Sequence, residues 1–277
     1  MTLVRGAIRP ETVWGDRRRA DGSWIWLLEG EEGVAHLRIT AFGPDTIDEL
    51  DRACSQIAAA GTPRGVVLDL RGNSAGAVAT AIDVCDRFLD DGTIVSTRRR
   101  SSRTGAVEER RAAPGAAFPG VPMAVLVDGL TSGAAEIVAA CLQDSGRAVV
   151  VGSRTFGRGT SQSLVPLSDG RTVLRLTTAE YLRPRGPSLH RRPHHTDADD
   201  WGVSPDAGLE IVPTGSTLET VSAWRTLRDA VPRHDAMLAT GPDQGSLART
   251  PRVVDPVIGR ALVALENGHA GGQPRDP

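Results

Sequence analysis

Short apolar runs separated by glycine-rich loops constrain the fold of this chain more than any other feature. They span residues 65–70, 122–127 and 147–152. A run that is apolar at almost every position is typical of a strand covered on both faces. Amphipathic helical patterns follow the first two runs, from residue 78 and over residues 134–144. Because strands alternate with helices, the sequence predicts an α/β fold with a mostly parallel core sheet and flanking helices.

A different pattern precedes the first apolar run. Residues 34–40 alternate apolar and polar side chains, which predicts a strand with one solvent-facing side. His36 lies on the polar side, so we interpret it as a surface residue rather than a catalytic base. Thr46 and Glu49 have the spacing of a capping box, which predicts that a helix begins there.

The remaining patterns divide the chain into three predicted parts. Residues 1–32 are rich in arginine and tryptophan and predict an extended strap docked on the core, residues 33–213 are the core, and residues 214–277 are a helical segment with a disordered tail. Local patterns further predict a solvated hairpin or loop over residues 98–118, separate strands over 172–177 and 180–182, a surface loop over 186–200, and helices over 217–231 and 257–265.

Composition limits the classes of partner. The net charge is −2 with 24% charged residues, so nothing indicates nucleic acid or a membrane surface as the main partner. No apolar run of about 18 residues predicts a membrane span, and the start of the chain lacks the apolar segment of a signal peptide. Cys54, Cys85 and Cys141 lie in apolar stretches and predict buried free thiols. No pattern predicts a cofactor.

The chain contains no lysine, so all 32 basic residues are arginine. A neutral lysine amine can act as a general base, whereas an arginine guanidinium stays protonated in proteins. Any chemistry that depends on a lysine base is therefore excluded.

Two loops are placed where sites form in open α/β sheets, beyond the carboxyl ends of strands. Residues 71–76 follow the first buried run, and residues 128–133 follow the second. Small residues allow backbone amides to approach a ligand, and a helix amino terminus favours negative charge. The loops predict either an oxyanion hole or plain turns.

A series of motifs is more specific than either loop alone. In chain order they are Leu68-Asp-Leu-Arg-Gly-Asn73, Ala135-Glu-Ile-Val138, Gly146-Arg-Ala-Val-Val-Val-Gly152, Thr155-Phe-Gly-Arg-Gly-Thr-Ser-Gln162, Leu176-Thr-Thr-Ala179 and Gly202-Val-Ser-Pro-Asp206. From about residue 3 to about residue 212, this order and spacing resemble the C-terminal processing (tail-specific) serine peptidases. The resemblance implies the family's core of the ClpP/crotonase type.

The resemblance implies a serine endopeptidase that cuts proteins near their carboxyl ends. In the family a serine attacks the peptide carbonyl, a neutral lysine takes its proton, and a glutamine helps to hold the lysine. The matching positions here are Gly133 for the serine, Arg158 for the lysine and Gln162 for the glutamine. Asp144 also matches the family pattern.

These departures fall on both reacting groups. Glycine carries no nucleophile, and arginine does not accept the proton. The family's Asn-Pro-Gly-Gly turn reads Asn73-Ser-Ala-Gly76, in which Ala75 is more restricted than glycine, while Gly76 and Ala134 keep amides for an oxyanion. We therefore expect an inactive pseudopeptidase. Its expected partner is a polypeptide, bound through an extended or carboxyl-terminal segment.

An alternative is an active hydrolase with a relocated nucleophile. Ser132 neighbours the expected position, and Thr131 and Ser161 are near in sequence. A shift of one residue at a helix start turns a side chain by roughly 100°. This alternative requires a histidine or a carboxylate such as Asp144 within hydrogen-bond reach of Ser132.

Two further hypotheses concern the loop after residue 186 and Arg158. Imidazoles and carboxylates in that loop are suitable metal ligands, so the loop is either a metal site or a plain solvated loop. They are His190, His194, His195, Asp197, Asp199 and Asp200. Arg158 is expected either to be buried and paired with a carboxylate such as Asp144, or to bind the terminal carboxylate of a peptide.

The amino-terminal region also departs from the family pattern. The family usually carries a PDZ domain before the core, and only residues 2–6 resemble its last strand. The family generally works outside the cytoplasm. The expectation is therefore a truncated chain, a start assigned too late, or a missing domain.

Overall fold

A mostly parallel sheet forms the centre of the molecule in the computed structural model, which describes residues 9–99, 107–168, 170–231 and 253–268. Its strand order is β1-β4-β5-β8-β9, comprising Val13–Trp14, Val34–Ile39, Gly65–Asp69, Met123–Val127 and Val149–Gly152. The last four are parallel to one another, and β1 is antiparallel at the edge. The predicted α/β fold with a mostly parallel core sheet is confirmed.

A second, antiparallel sheet lies beside the first. Its order is β10-β11-β6-β7, comprising Thr160–Pro166, Val173–Leu182, Thr93–Arg99 and Val107–Arg111. The polar hairpin expected around residue 98 is formed by β6 and β7, although residues 100–106 lie outside the described residues. The two strands predicted over 172–182 are one continuous strand, β11, because residues 173–180 pair with β10 and residues 179–182 pair with β6.

Helices cover both faces of the central sheet. They are α1 (Thr46–Ala59), α2 (Val78–Asp86), α3 (Ala134–Asp144), α4 (Gly215–Asp229) and α5 (Pro256–Glu266). Leu37, Leu68 and Val125 enter a core with residues of α1, α2 and α3. Val67 and Leu126 enter a smaller core on the opposite face with residues of α5. Burial on both faces explains the continuous apolar runs, and each fully buried side chain contributes about 1.5–3 kcal/mol.

The interpretation of His36 as a surface residue is wrong. Its side chain is 1% exposed and lies between Asp16 and Asp69, with each imidazole nitrogen 3.6 Å from a carboxylate oxygen. The alternating pattern identified the strand, but it could not show that distant segments cover its polar face. Arg225 of α4 reaches Asp69 across that face.

The start of α1 also differs from the prediction. The residue before the helix is Asp45, and Thr46 Oγ1 accepts a hydrogen bond from Gly43 N at 2.8 Å instead of capping the helix. Glu49 accepts hydrogen bonds from the amide and hydroxyl of Thr12 and from Val13 N. Glu49 therefore does not complete a capping box but connects the amino-terminal segment to α1.

The terminal segments make defined contacts with the core. Strand β1 adds to the central sheet, the short hairpin of β2 (Arg17–Arg18) and β3 (Trp24–Ile25) follows it, and Trp24 is buried. Both predicted C-terminal helices form, as α4 and α5. The domain boundaries remain predictions, and the predicted tail lies outside the described residues after 268.

The three cysteines are free thiols. Cys85 and Cys141 are buried as predicted, whereas Cys54 is only partly buried. Burial raises the pKa of the Cys54 thiol to about 12, so it stays protonated at neutral pH. No helix in the described ranges is both long enough and apolar enough to cross a bilayer.

Candidate functional site

A cleft of about 1020 Å³ opens where the central sheet meets the second sheet. The loops that follow β5 and β8 form one wall, and β10 with the segment before it forms the other. The sequence-predicted residues that line it are Ala75, Gly76, Gly133, Ala134, Arg158, Ser161, Gln162 and His190. Residues from distant parts of the sequence therefore meet at the carboxyl ends of the strands, where α/β sheets place their sites.

Hydrogen bonds join the two loops to each other. Ser132 N donates to Asn73 O at 2.9 Å, and Gly72 N donates to Asp128 Oδ1 at 3.0 Å. The buried Asn73 side chain donates to Ile39 O at 2.8 Å, which anchors the first loop to β4. The backbone of both loops is thus held in place without a ligand.

Gly133 adopts a backbone conformation that favours glycine. It immediately precedes α3 and has φ 65° and ψ −116°. Sharp turns between a strand and a helix present their residue at the mouth of a site. A Cβ added to Gly133 would have Arg158 Cδ, at 3.9 Å, as its nearest neighbour. A side chain at this position would therefore enter the cleft beside Arg158.

A buried carboxylate fixes the positions of Gly133 and Arg158 relative to each other. Glu136 is fully buried and accepts hydrogen bonds from Gly133 N at 2.9 Å and Arg158 N at 2.7 Å. It also accepts from Thr155 Oγ1 at 2.5 Å and Gly157 N at 2.7 Å. Burial raises the pKa of Glu136, and the four hydrogen bonds oppose that rise. The motif that contains Glu136 did not by itself predict this role; a glutamate in the first turn of a helix that follows glycine was the available signal.

Two backbone amides in the cleft are free to bind a ligand. Gly76 N and Ala134 N donate no hydrogen bond to the part of the chain that the structure describes. Gly76 has φ 116°, and a Cβ there would lie 2.3 Å from Phe42 N, so this position requires glycine. Ala134 is the first residue of α3, where the helix dipole adds positive potential.

Arg158 is exposed to solvent, which contradicts the first of its two predicted roles, a buried and paired guanidinium. Within the described ranges no carboxylate lies within 4.0 Å of it, and its guanidinium carbon is 5.3 Å from the centre of the Phe156 ring. Its proposed pairing with Asp144 is wrong. Asp144 lies at the other end of α3, a helix of 11 residues, or about 16 Å, and binds Arg183 at 2.6 Å.

The lining of the cleft is positively charged. Arg158, Arg175, Arg191 and His190 line it, and no aspartate or glutamate among the described residues does so. Arg191 lies over the Trp201 ring at 4.4 Å, and none of the three arginines has a described carboxylate partner. The cleft therefore favours an anionic ligand.

The geometry does not support Ser132 as a nucleophile. Its side chain is buried, and its Oγ has no hydrogen-bond partner among the described residues. Thr131 Oγ1 is also buried and donates to Leu70 O at 3.0 Å. Ser161 lines the cleft. Ser132 therefore lacks the base that a relocated nucleophile requires.

The histidine- and aspartate-rich loop is dispersed rather than convergent. His190 lines the cleft, the rings of His194 and His195 meet edge to face at 4.9 Å, and Asp199 accepts from Thr196. The described residues include no group of three or more histidine, cysteine, aspartate or glutamate side chains that could hold a metal ion.

Comparison with known proteins identifies the family. The family model "Peptidase family S41" matches residues 33–208. The carboxy-terminal-processing protease of Bartonella bacilliformis is 37% identical over 188 residues, which is 67% of this chain and 40% of that protein. The carboxyl-terminal-processing protease of Picosynechococcus is 36% identical over 182 residues, 66% of this chain and 40% of that protein. This chain thus spans about 40% of the length of these relatives.

A solved structure agrees with this assignment. The photosystem II D1 C-terminal processing protease superposes with a TM-score of 0.58 at 26% identity, over 80% of this chain and 53% of that one. A sequence match to most of the chain and a shared α/β architecture therefore lead to one conclusion: the chain belongs to peptidase family S41.

Proposed function

We propose that this protein is a non-catalytic, polypeptide-binding member of peptidase family S41. The observation that supports the proposal is that Gly133 lies beside Arg158 in the cleft. The family resemblance assigns these two positions to the catalytic serine and lysine. One of them has no nucleophile, and the other has no lone pair to accept a proton.

No other residue supplies the missing base. The chain contains no lysine, and the cleft has no carboxylate in its described lining. Among the described lining residues, His190 carries the one imidazole, and Ser161 carries a hydroxyl next in sequence to Gln162. No hydrogen bond joins His190 to Ser161 in the described structure, so they do not form a nucleophile–base pair.

The cleft keeps features that bind an extended chain. Strand β10 is at the edge of its sheet and pairs with β11 alone among the described strands. No described strand pairs with its other edge, on which an extended peptide can add as a further strand. Leu164, 68% exposed, offers an apolar contact in the same cleft. The names of the relatives support carboxyl-terminal segments of proteins as the ligand class.

Binding of an unfolded model protein, followed by fluorescence anisotropy, tests this proposal. We expect saturable binding with no cleavage products in the mass spectrum of the recovered ligand. Leu164→Asp should weaken binding, because it places a carboxylate on the strand that contacts the ligand. Leu227→Asp is the matched control, because Leu227 is 64% exposed on α4 and outside the cleft. Equal loss in both variants, or no binding at all, would contradict the proposal.

A further inference from the structure

We infer that the cleft binds the C-terminal carboxylate of its polypeptide ligand, between the Arg158 guanidinium and the amides of Gly76 and Ala134. The inference rests on the proposed function and specifies which part of a polypeptide enters the cleft. It assigns a binding role to Arg158, where the family pattern has a proton acceptor.

The charge of the cleft selects an anion. Three arginines and a histidine line it without a described carboxylate to neutralise them. An exposed arginine on most protein surfaces loses little by remaining unpaired, but a cluster of cations in a concave site raises the local concentration of anions. The helix dipole of α3 acts in the same direction at Ala134.

The position of Arg158 adds specificity to that charge. Glu136 accepts hydrogen bonds from the backbone amides of Arg158 and Gly133. The backbone from which the Arg158 side chain extends is therefore fixed beside the start of α3. Gly133 has no side chain, and a Cβ added there would have its nearest neighbour, Arg158 Cδ, at 3.9 Å. Space for a ligand oxygen therefore remains where the family places its serine. A guanidinium binds both oxygens of a carboxylate through parallel hydrogen bonds.

A polypeptide terminus fits these donors better than an acidic side chain. Strand β10 lies at a sheet edge, where an extended peptide can pair through its backbone, and Gln162 and Leu164 of this strand line the same cleft as Arg158. A chain paired along that edge carries its terminal carboxylate directly on the backbone, whereas an aspartate or glutamate side chain points away from the strand axis. Capture of a terminal carboxylate by backbone amides is a known mode of peptide recognition.

The experiment compares two forms of one fluorescein-labelled random-sequence decapeptide pool, one with a free carboxyl terminus and one amidated. Anisotropy gives the affinity of each form for the full chain. We expect the free acid to bind at least about tenfold more tightly, the effect of one charge-assisted pair. In Arg158→Gln the ratio of the two affinities should fall to about one. In Arg158→Lys the ratio should be intermediate, because lysine keeps the positive charge but cannot donate two parallel hydrogen bonds to a carboxylate.

The matched control is Arg52→Gln. Arg52 is exposed on α1, lies outside the cleft and has no described ion pair, so the ratio should not change. Equal binding of acid and amide by the unmodified chain overturns the inference and leaves the proposed function standing. A preference for the acid that persists in Arg158→Gln also overturns it. Failure of both forms to bind contradicts the proposed function itself.

Discussion

Arginines occur in two contrasting environments in this molecule. In the cleft, Arg158 and Arg175 are exposed and have no described carboxylate partner. Where the central sheet meets α4 and α5, arginines are enclosed and paired; we call this set the buried ion-pair network. It consists of Asp16, His36, Asp69, Arg71, Arg225, Arg228 and Asp255. The same residue type thus stabilises the fold in one region and remains available to a ligand in the other.

The network connects segments that are distant in sequence. Asp69 at the end of β5 binds Arg71 at 2.7 Å and Arg225 of α4 at 2.9 Å. Asp255 binds the same two arginines and caps α5 by accepting from Val257 N. Burial alone would raise the pKa of Asp69, but Arg71 and Arg225 outweigh it and hold that pKa well below its usual value. Buried charges persist only when each has such partners.

The largest expected effect is in the network. Asp69→Asn should lower the free energy of unfolding by about 3–5 kcal/mol, because the buried guanidinium groups of Arg71 and Arg225 then share the carboxylate of Asp255, which leaves one buried positive charge uncompensated. Urea denaturation at neutral pH measures this. Glu108→Gln removes a carboxylate from an exposed pair with Arg99 and should give no measurable change. Similar losses in the two variants would remove the contrast between buried and exposed pairs.

Acid should weaken the network in a defined direction. The pKa of Asp16, Asp69 and Asp255 is lowered in the folded state. Their stabilisation is therefore complete above the unfolded carboxyl pKa of about 3.9 and is lost as pH falls through the lower folded values. The urea midpoint of Asp69→Asn should fall less steeply below about pH 4 than that of the unmodified chain. Parallel curves for the two proteins would contradict this assignment.

Glu136→Gln is expected to have the next largest effect. Glutamine keeps one acceptor oxygen but turns an amide group toward backbone donors, so about 2 kcal/mol of stability should be lost. The loss should be accompanied by faster amide hydrogen exchange at Gly157 and Arg158, which both donate to this carboxylate. Unchanged exchange at these amides would show that Glu136 does not hold the segment.

Gly133→Ala should cost about 1–2 kcal/mol, because a residue with a Cβ is strained at φ 65° and ψ −116°. Space is not the cause, since the nearest atom to the added Cβ is 3.9 Å away. Gly129→Ala in the same loop is the control, because Gly129 has no positive φ and only Arg154 O at 4.0 Å nearby. Thermal unfolding of both variants measures the difference, and equal stability would contradict the strain.

Arg158→Gln should have the smallest effect on stability, within about 0.5 kcal/mol, because the side chain is exposed and has no ion-pair partner among the described residues. Its effect should appear in ligand binding instead. A loss similar to that of Asp69→Asn would show that Arg158 stabilises the fold, and it would weaken the comparison between the cleft and the network.

The sequence predicted local features better than distant contacts. Apolar runs identified β5 and β8, because a strand that is buried on both faces has apolar residues at successive positions. Motif spacing identified residues that meet in the cleft. His36 was misplaced because its cover comes from Asp16 and from α4, which no local pattern relates to β4. Asp144 was grouped with Arg158 from its motif alone, whereas the length of α3 separates them.

Proteolysis of an unfolded model protein by the unmodified chain, beside Gly133→Ser/Arg158→Lys, tests the central claim most directly. The double variant restores a hydroxyl at the sharp turn and an amine that can lose its proton, in a cleft that already holds both positions beside each other. The account predicts that the unmodified chain leaves the protein intact and that the double variant cuts it. Cleavage by the unmodified chain, abolished by Ser132→Ala, would contradict the account.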